Sequence, residues 1–263
     1  MLKEEMHQHV VGGLLVQVID NPAIVLMARD AGIDFLFYDC EHGVLTYRDL
    51  HDLMLMGNEC GMPSVVRVGE LGRTDVSKIL DFGATGVMVP MMETAEQARR
   101  LVAWSKYPPL GSRSYSGGAG TAYGTSGNHS HNMAEANART IAIAQIETVR
   151  GVANVDQILS VDGIDAAVVG PCDLAISLGH PDDVTREEEL SLIRQVADAC
   201  ESHGKSFGII GGNALLDKFA DSLDILVSAI DSHLIRDSLR EAAAAYGAIV
   251  ARRSNRNQDS EQE

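Results

Sequence analysis

Short apolar and β-branched runs alternate along this chain with longer stretches whose apolar positions recur at helical spacing. Residues 14–18, 35–39, 64–68, 86–90, 141–146, 166–169, 206–210 and 225–228 read as strands. Several are apolar at odd and even positions alike, as parallel strands covered on both faces are. The stretches between them read as about eight helices with legible starts. Asn21-Pro22 has the form of a cap followed by a first-turn proline, and residues 94–97 (TAEQ) and 185–188 (TREE) match the capping box. DAGID (30–34), DFGAT (81–85), VDGID (161–165) and ADSLD (220–224) each lead into a strand, so a helix–turn–strand junction recurs. Right-handed crossovers between parallel strands leave a closed eight-fold barrel or an open doubly wound sheet. Neither a G-x-G-x-x-G turn after the first strand nor a Walker lysine loop is present. The expected fold is an α/β (β/α)8 TIM barrel.

Two segments fall outside this count. Residues 111–136 are Gly/Ser-rich and weakly periodic, and are read as a long loop, functional or disordered, whose aromatic and histidine residues could reach an active site. The expected domain is 1–250, followed by a polar tail, 251–263, with no apolar anchor and an expectation of disorder.

Composition narrows the function. A chain of 263 residues can form one barrel-sized domain, or two small ones, with a well-buried core and no disulfides. Its 37 acidic against 21 basic residues give a net charge of −16, which disfavours nucleic acid as a partner. It does not disfavour an anionic small molecule, because a local site can be positive. No apolar run reaches membrane-spanning length, the first ten residues lack a signal-peptide core, and Cys40, Cys60, Cys172 and Cys200 form no C-x-x-C pair. A cytoplasmic enzyme is expected.

Barrel enzymes carry their chemistry at the C-terminal ends of strands. Here those ends read Asp39-Cys40-Glu41-His42, Arg67, Gln145-Ile146-Glu147, Gly170-Pro171-Cys172-Asp173 and, near the eighth strand, Asp231. Glu147 and Asp173 follow neighbouring strands and can converge. Two carboxylates without sulfur suit a hard divalent cation, Mg²⁺ or Mn²⁺; the alternative is two unrelated helix caps. Arg67 ends an apolar strand, so it must face a polar mouth or pair structurally, with Asp39 for instance. His42 has the chemistry of a proton donor or acceptor, or is a loop histidine. The five lysines (Lys3, Lys78, Lys106, Lys205, Lys218) all lie away from strand C-terminal ends, which argues against a Schiff-base aldolase. Cys40 and Cys172 are read as small buried groups, and His129 and His131 as solvated or closing over substrate.

The segments AGIDFLFYDCEHG, VVRV, KILDFGATGVMVPMMET, KYPPLGSR, IAQIET and VVGPCDLA, in this order, resemble the HpcH/HpaI aldolases, metal-dependent pyruvate aldolases of class II. The resemblance runs from about residue 14 to 244. It implies a barrel that exchanges its last helix with a neighbour, and a homo-oligomer between dimer and hexamer. It implies that Glu147 and Asp173 hold the metal, that Arg67 binds the keto oxygen of a 2-ketoacid, and that His42, oriented by Asp81, is the acid/base. Gln145 would contact metal-bound water or the ketoacid, and the Cys172 and Asp173 amides the substrate carboxylate. The implied reaction is reversible aldol cleavage of a 4-hydroxy-2-oxo acid to pyruvate and an aldehyde. The alternative is a citrate synthase-type condensation of acetyl-CoA with oxaloacetate, as in siderophore synthesis. A non-catalytic binding barrel is the third reading. The sequence departs from the family at Val16, Ser114, residues 120–124, residues 211–213 and Ala229, around the mouth rather than at the metal.

Overall fold

The computed structural model describes residues 1–116, 118–121, 123–124 and 128–260. Eight parallel strands close in sequence order: β1 (Val11–Val16), β2 (Phe35–Asp39), β3 (Ser64–Arg67), β4 (Gly86–Val89), β5 (Ile141–Ile146), β6 (Ala166–Val169), β7 (Ser206–Ile210) and β8 (Ile225–Ile230), with β8 paired back to β1. This is a (β/α)8 barrel. Helix α1 (Leu2–Glu5) precedes it, and α2 (Ala23–Asp30), α3 (Tyr47–Cys60), α4 (Arg73–Asp81) and α5 (Ala95–Ser105) follow the first four strands. Then come α6 (His129–Arg139), α7 (Val149–Ala153), α8 (Val155–Leu159), α9 (Pro171–Ser177), α10 (Glu187–His203), α11 (Asn213–Leu216) and α12 (Asp231–Ser260).

Alternation along each strand sorts the core into two regions. One set of positions packs against the helices; Leu36 and Tyr38, Val66, Val87 and Ala142 belong to it. The other set, Val11, Leu15, Phe35, Phe37, Val65, Met88, Ile141, Ile143, Ala166 and Val168, fills the barrel. Leu2 and Met6 of the N-terminal segment join that interior cluster, beside the first residues of β1, β2, β5 and β8, and close the barrel's N-terminal end. Gly13 sits inside the barrel because a Cβ there would overlap the Phe35 ring.

Several expectations need correction. Strand β1 starts at Val11 and ends at Val16, because two glycines hide its first half from an apolar count. Thr94 does cap α5, accepting from the Gln97 amide at 3.2 Å. Thr185 does not cap α10: it bonds Asp183, and the helix begins at Glu187 with no side-chain cap. Part of the expected loop 111–136 is helical, since α6 starts at His129, capped by Asn128. The expected disordered tail is helix through Ser260, the last turns of α12; its residues 261–263 lie outside the described residues.

Candidate active site

The inward alternation that fills the barrel with apolar groups continues upward into polar ones. Two residues beyond Leu15, Phe37, Val65 and Ile143 stand Gln17, Asp39, Arg67 and Gln145, and the same step from Val168 gives Gly170. Adjacent register places Asp39 opposite Arg67 on β2 and β3. Asp39 takes the guanidinium with both oxygens, from Nε at 2.9 Å and Nη2 at 2.8 Å, and accepts the Gln17 amide group at 2.9 Å. It also accepts the backbone N–H of Glu41 and of His42. Burial opposes ionisation of Asp39, but the bonds and charge of Arg67 outweigh it and hold the carboxyl below its ordinary range. Glu41 lies 3.3 Å from Arg67 Nε; burial raises its carboxyl despite that neighbour. Arg67 Nη1 has no partner among the described residues.

Across the mouth, Glu147 is 2% exposed. Its Oε1 accepts the Met91 amide at 2.7 Å, and its Oε2 accepts from Gln145 Nε2. Burial pushes its carboxyl up to about 7, and the nearby charges of Asp173 and Glu41 act in the same direction. Asp173, in the first turn of α9, is half-buried. A divalent cation was expected here, and three features fit one. The Gln145 Oε1 atom is buried without a partner. A Cβ on Gly170 would run into Glu147 Oε2 and Gln145 Nε2, so glycine keeps the cradle open. The donors are oxygens, two of them carboxylates whose crowding a positive charge would relieve. Among the described residues no group of three or more His, Cys, Asp and Glu side chains comes together in metal-binding form, so water or substrate would complete the shell.

The other predicted residues fall as follows. His42 lies just above Asp39, with its side chain 59% exposed and its Nε2 3.9 Å from Glu41. The structure does not bring Asp81 to it. Asp81 ends α4, which runs back from the mouth, and it bonds Arg113 Nη2 at 2.7 Å. That pair lines a cavity of about 500 Å³ with Tyr107 and Tyr115, bordered by Thr85 just below β4 and so at the barrel's opposite end. Cys172, in the first turn of α9, is exposed rather than buried, and Cys40 is half-buried. His129 and His131 are exposed on α6. Sequence reasoning missed Gln17 and the Met91 amide, and named Asp39 as a strand-end acid and alternative partner for Arg67 without giving it a role at the site. The inward alternation of β1 and β2 was the signal for the first and last. Asp231 was noted as a strand-end acid; it accepts the backbone N–H groups of Gln17, Val18 and Ile19 and so fixes the turn after β1.

The HpcH/HpaI aldolase/citrate lyase family model matches residues 15–219. The chain belongs to this family. Among its curated relatives, the 2-keto-3-deoxy-L-rhamnonate aldolase of Klebsiella pneumoniae is 36% identical over 224 residues, 84% of this chain and 83% of that one. Among solved structures, an HpcH/HpaI aldolase from Desulfitobacterium hafniense superposes with a TM-score of 0.89 at 29% identity, covering 94% of this chain and 96% of the other. The citrate synthase SbnG superposes with a TM-score of 0.84 at 27% identity, covering 94% and 98%. The HpcH/HpaI relationship makes the chain an enzyme of the aldolase class. Among the described residues no helix is long and apolar enough to cross a membrane.

Proposed function

We propose that this HpcH/HpaI protein is a divalent-metal-dependent carbon–carbon lyase that cleaves a 4-hydroxy-2-oxo acid reversibly to pyruvate, or a related 2-ketoacid, and an aldehyde. The observation that carries this reading is the polar top layer of the barrel. There, Glu147 and the unpartnered Gln145 Oε1 lie among the charges of Asp173, Glu41 and Arg67. Glu147 and Asp173 would hold Mg²⁺ or Mn²⁺, with Gln145 touching its water or the ketoacid. A bound cation there supplies Lewis-acid polarisation of the ketoacid carbonyl.

The chain's own groups do the rest. Asp39 locks Arg67 by two nitrogens and leaves Nη1 for the keto oxygen, where negative charge develops as the C–C bond breaks. Arg67 stays cationic because Asp39 and its acidic neighbours offset its burial. The first-turn amides of Cys172 and Asp173, which have no partners within their helix, would receive the substrate carboxylate. Exposed His42 would take the proton of the 4-hydroxyl and return it to the aldehyde oxygen in synthesis. For Asp81 to orient His42, it must come from a second copy, since each chain holds the two at opposite ends. Helix α12 leaves Leu234, Ile235, Leu239, Tyr246, Ile249 and Val250 exposed, which supports a homo-oligomer in which this helix packs on a neighbour. A cytoplasmic setting accords with this chemistry.

The likeness to a citrate synthase keeps condensation of acetyl-CoA with oxaloacetate as the second reading. Incubation with Mg²⁺ separates the two. Pyruvate release from a 4-hydroxy-2-oxo acid supports the first reading; thiol release from acetyl-CoA and oxaloacetate, without pyruvate release, replaces it with the second.

A further inference from the structure

The turn between β4 and α5 holds Met91 in the left-handed region, at φ 51°. Among the described residues only one other non-glycine, Tyr123, shares a positive φ. A side chain there is costly, and such strain persists only where surrounding bonds over-determine it. Around Met91 they do. Its N–H donates to Glu147 Oε1 at 2.7 Å, and its carbonyl accepts from Gln97 Nε2 at 3.3 Å. Gln97 Oε1 in turn accepts the Glu93 N–H at 2.9 Å and the Thr94 hydroxyl at 3.1 Å. One side chain therefore bridges both ends of the 91–94 turn. The next residue anchors the turn from the barrel side, with Met92 N–H donating to the Gln145 carbonyl at 3.1 Å. Glu147 and Gln145 are thus both tied to this turn, the first through its side chain and the second through its backbone.

We propose that Gln97 is a positioning residue for the cation site: it clamps the strained Met91 peptide so that the Met91 amide fixes the Glu147 carboxylate in its ligating orientation. Gln97 itself lies on α5, outside the set of groups that would touch metal or substrate. The inference rests on the proposed cation role of Glu147. Partners one layer behind a ligand typically govern affinity by about ten- to a hundredfold.

The test is Mn²⁺ titration followed by electron paramagnetic resonance, with thermal unfolding of the metal-stripped protein beside it. Gln97→Glu keeps the oxygen that accepts from Glu93 and Thr94, but replaces the donor to Met91 by a carboxylate. The inference predicts Mn²⁺ affinity about tenfold weaker with the unfolding midpoint of the stripped protein unchanged. Glu147→Gln is the reference and should abolish tight binding. If Glu147→Gln fails and Gln97→Glu binds as wild type, the clamp is overturned and the cation site stands. If Gln97→Glu weakens binding only alongside a lowered unfolding midpoint, Gln97 is merely structural and the inference is also overturned. If Glu147→Gln binds as tightly as wild type, the cation site fails and takes this inference with it.

Discussion

Asp39 and Arg67 face each other on adjacent strands and share two hydrogen bonds, at 2.9 and 2.8 Å, with both side chains all but closed to solvent. One edge of the guanidinium is spent on Asp39, and under the proposed function the remaining edge meets the substrate in a fixed pose.

Removing either partner outright leaves a buried charge uncompensated and should cost about 3–5 kcal/mol. Arg67→Ala therefore confounds stability with turnover. Arg67→Lys keeps the charge but not the fork. It is expected to remain folded by urea titration, with kcat lowered by about two orders of magnitude or more. Unchanged kcat would remove Arg67 from the reaction.

Gly170→Ala isolates the cation site from the fold. The nearest atoms the added methyl would meet are side-chain atoms, Glu147 Oε2, Gln145 Nε2 and the Glu147 Cβ, so the two donors rather than the strands must give way. Calorimetric titration with Mn²⁺ should show affinity at least about tenfold weaker, with little change in thermal midpoint. Wild-type affinity would mean that the cation sits elsewhere.

Glu189, in the first turn of α10, is buried with neither carboxylate oxygen partnered among the described residues, and burial pushes it up to about 7. An unfolded glutamate titrates near 4.3. The folded protein thus holds a proton that the unfolded chain has lost, so this stability is present below about pH 4.3, declines as pH rises, and is gone above about 7. Urea stability in saturating Mg²⁺ should fall between pH 5 and 7, and Glu189→Gln should flatten that slope by on the order of 1 kcal/mol per pH unit. Parallel wild-type and variant profiles would show that Glu189 is ionised in the fold. In EDTA the wild type should fall more steeply, because Glu147 then adds its own raised carboxyl to the same window.

If Asp81 serves His42 across an interface, two inactive variants should complement. Co-refolding His42→Asn with Asp81→Ala is expected to restore activity at about a quarter of the sites, those combining wild-type residues from two copies. No recovery would place the two residues in separate roles.

The barrel could be read from the chain because most of the parallel strands are buried on both faces and four of the βα units end in a recognisable turn before the next strand. Boundaries blurred where side chains are small, as at Gly12 and Gly13 of β1. The 111–136 segment hid α6 because His129, Asn132, Glu135 and their neighbours give that helix no buried residue. The same absence of an apolar stripe made the end of α12 look like a tail. Among site residues, Arg67, Glu147 and Asp173 were visible as charges at strand ends. The Met91 contribution was not, since a backbone amide made useful by an unusual φ leaves no mark in the residue type. Asp81 shows the opposite limit: its motif is plain, yet its place at the end of α4 puts it on the wrong side of its own barrel.

The central claim is that this cation site and Arg67 together stabilise negative charge on a 2-ketoacid. It can be tested without knowing the aldehyde, by following the methyl proton signal of pyruvate in D₂O by NMR. With protein and Mg²⁺ the signal should decay as deuterium replaces hydrogen, and EDTA, Glu147→Gln or Arg67→Lys should each slow that decay by about a hundredfold or more. Exchange at the wild-type rate in EDTA, or no exchange with Mg²⁺ present, would contradict the account.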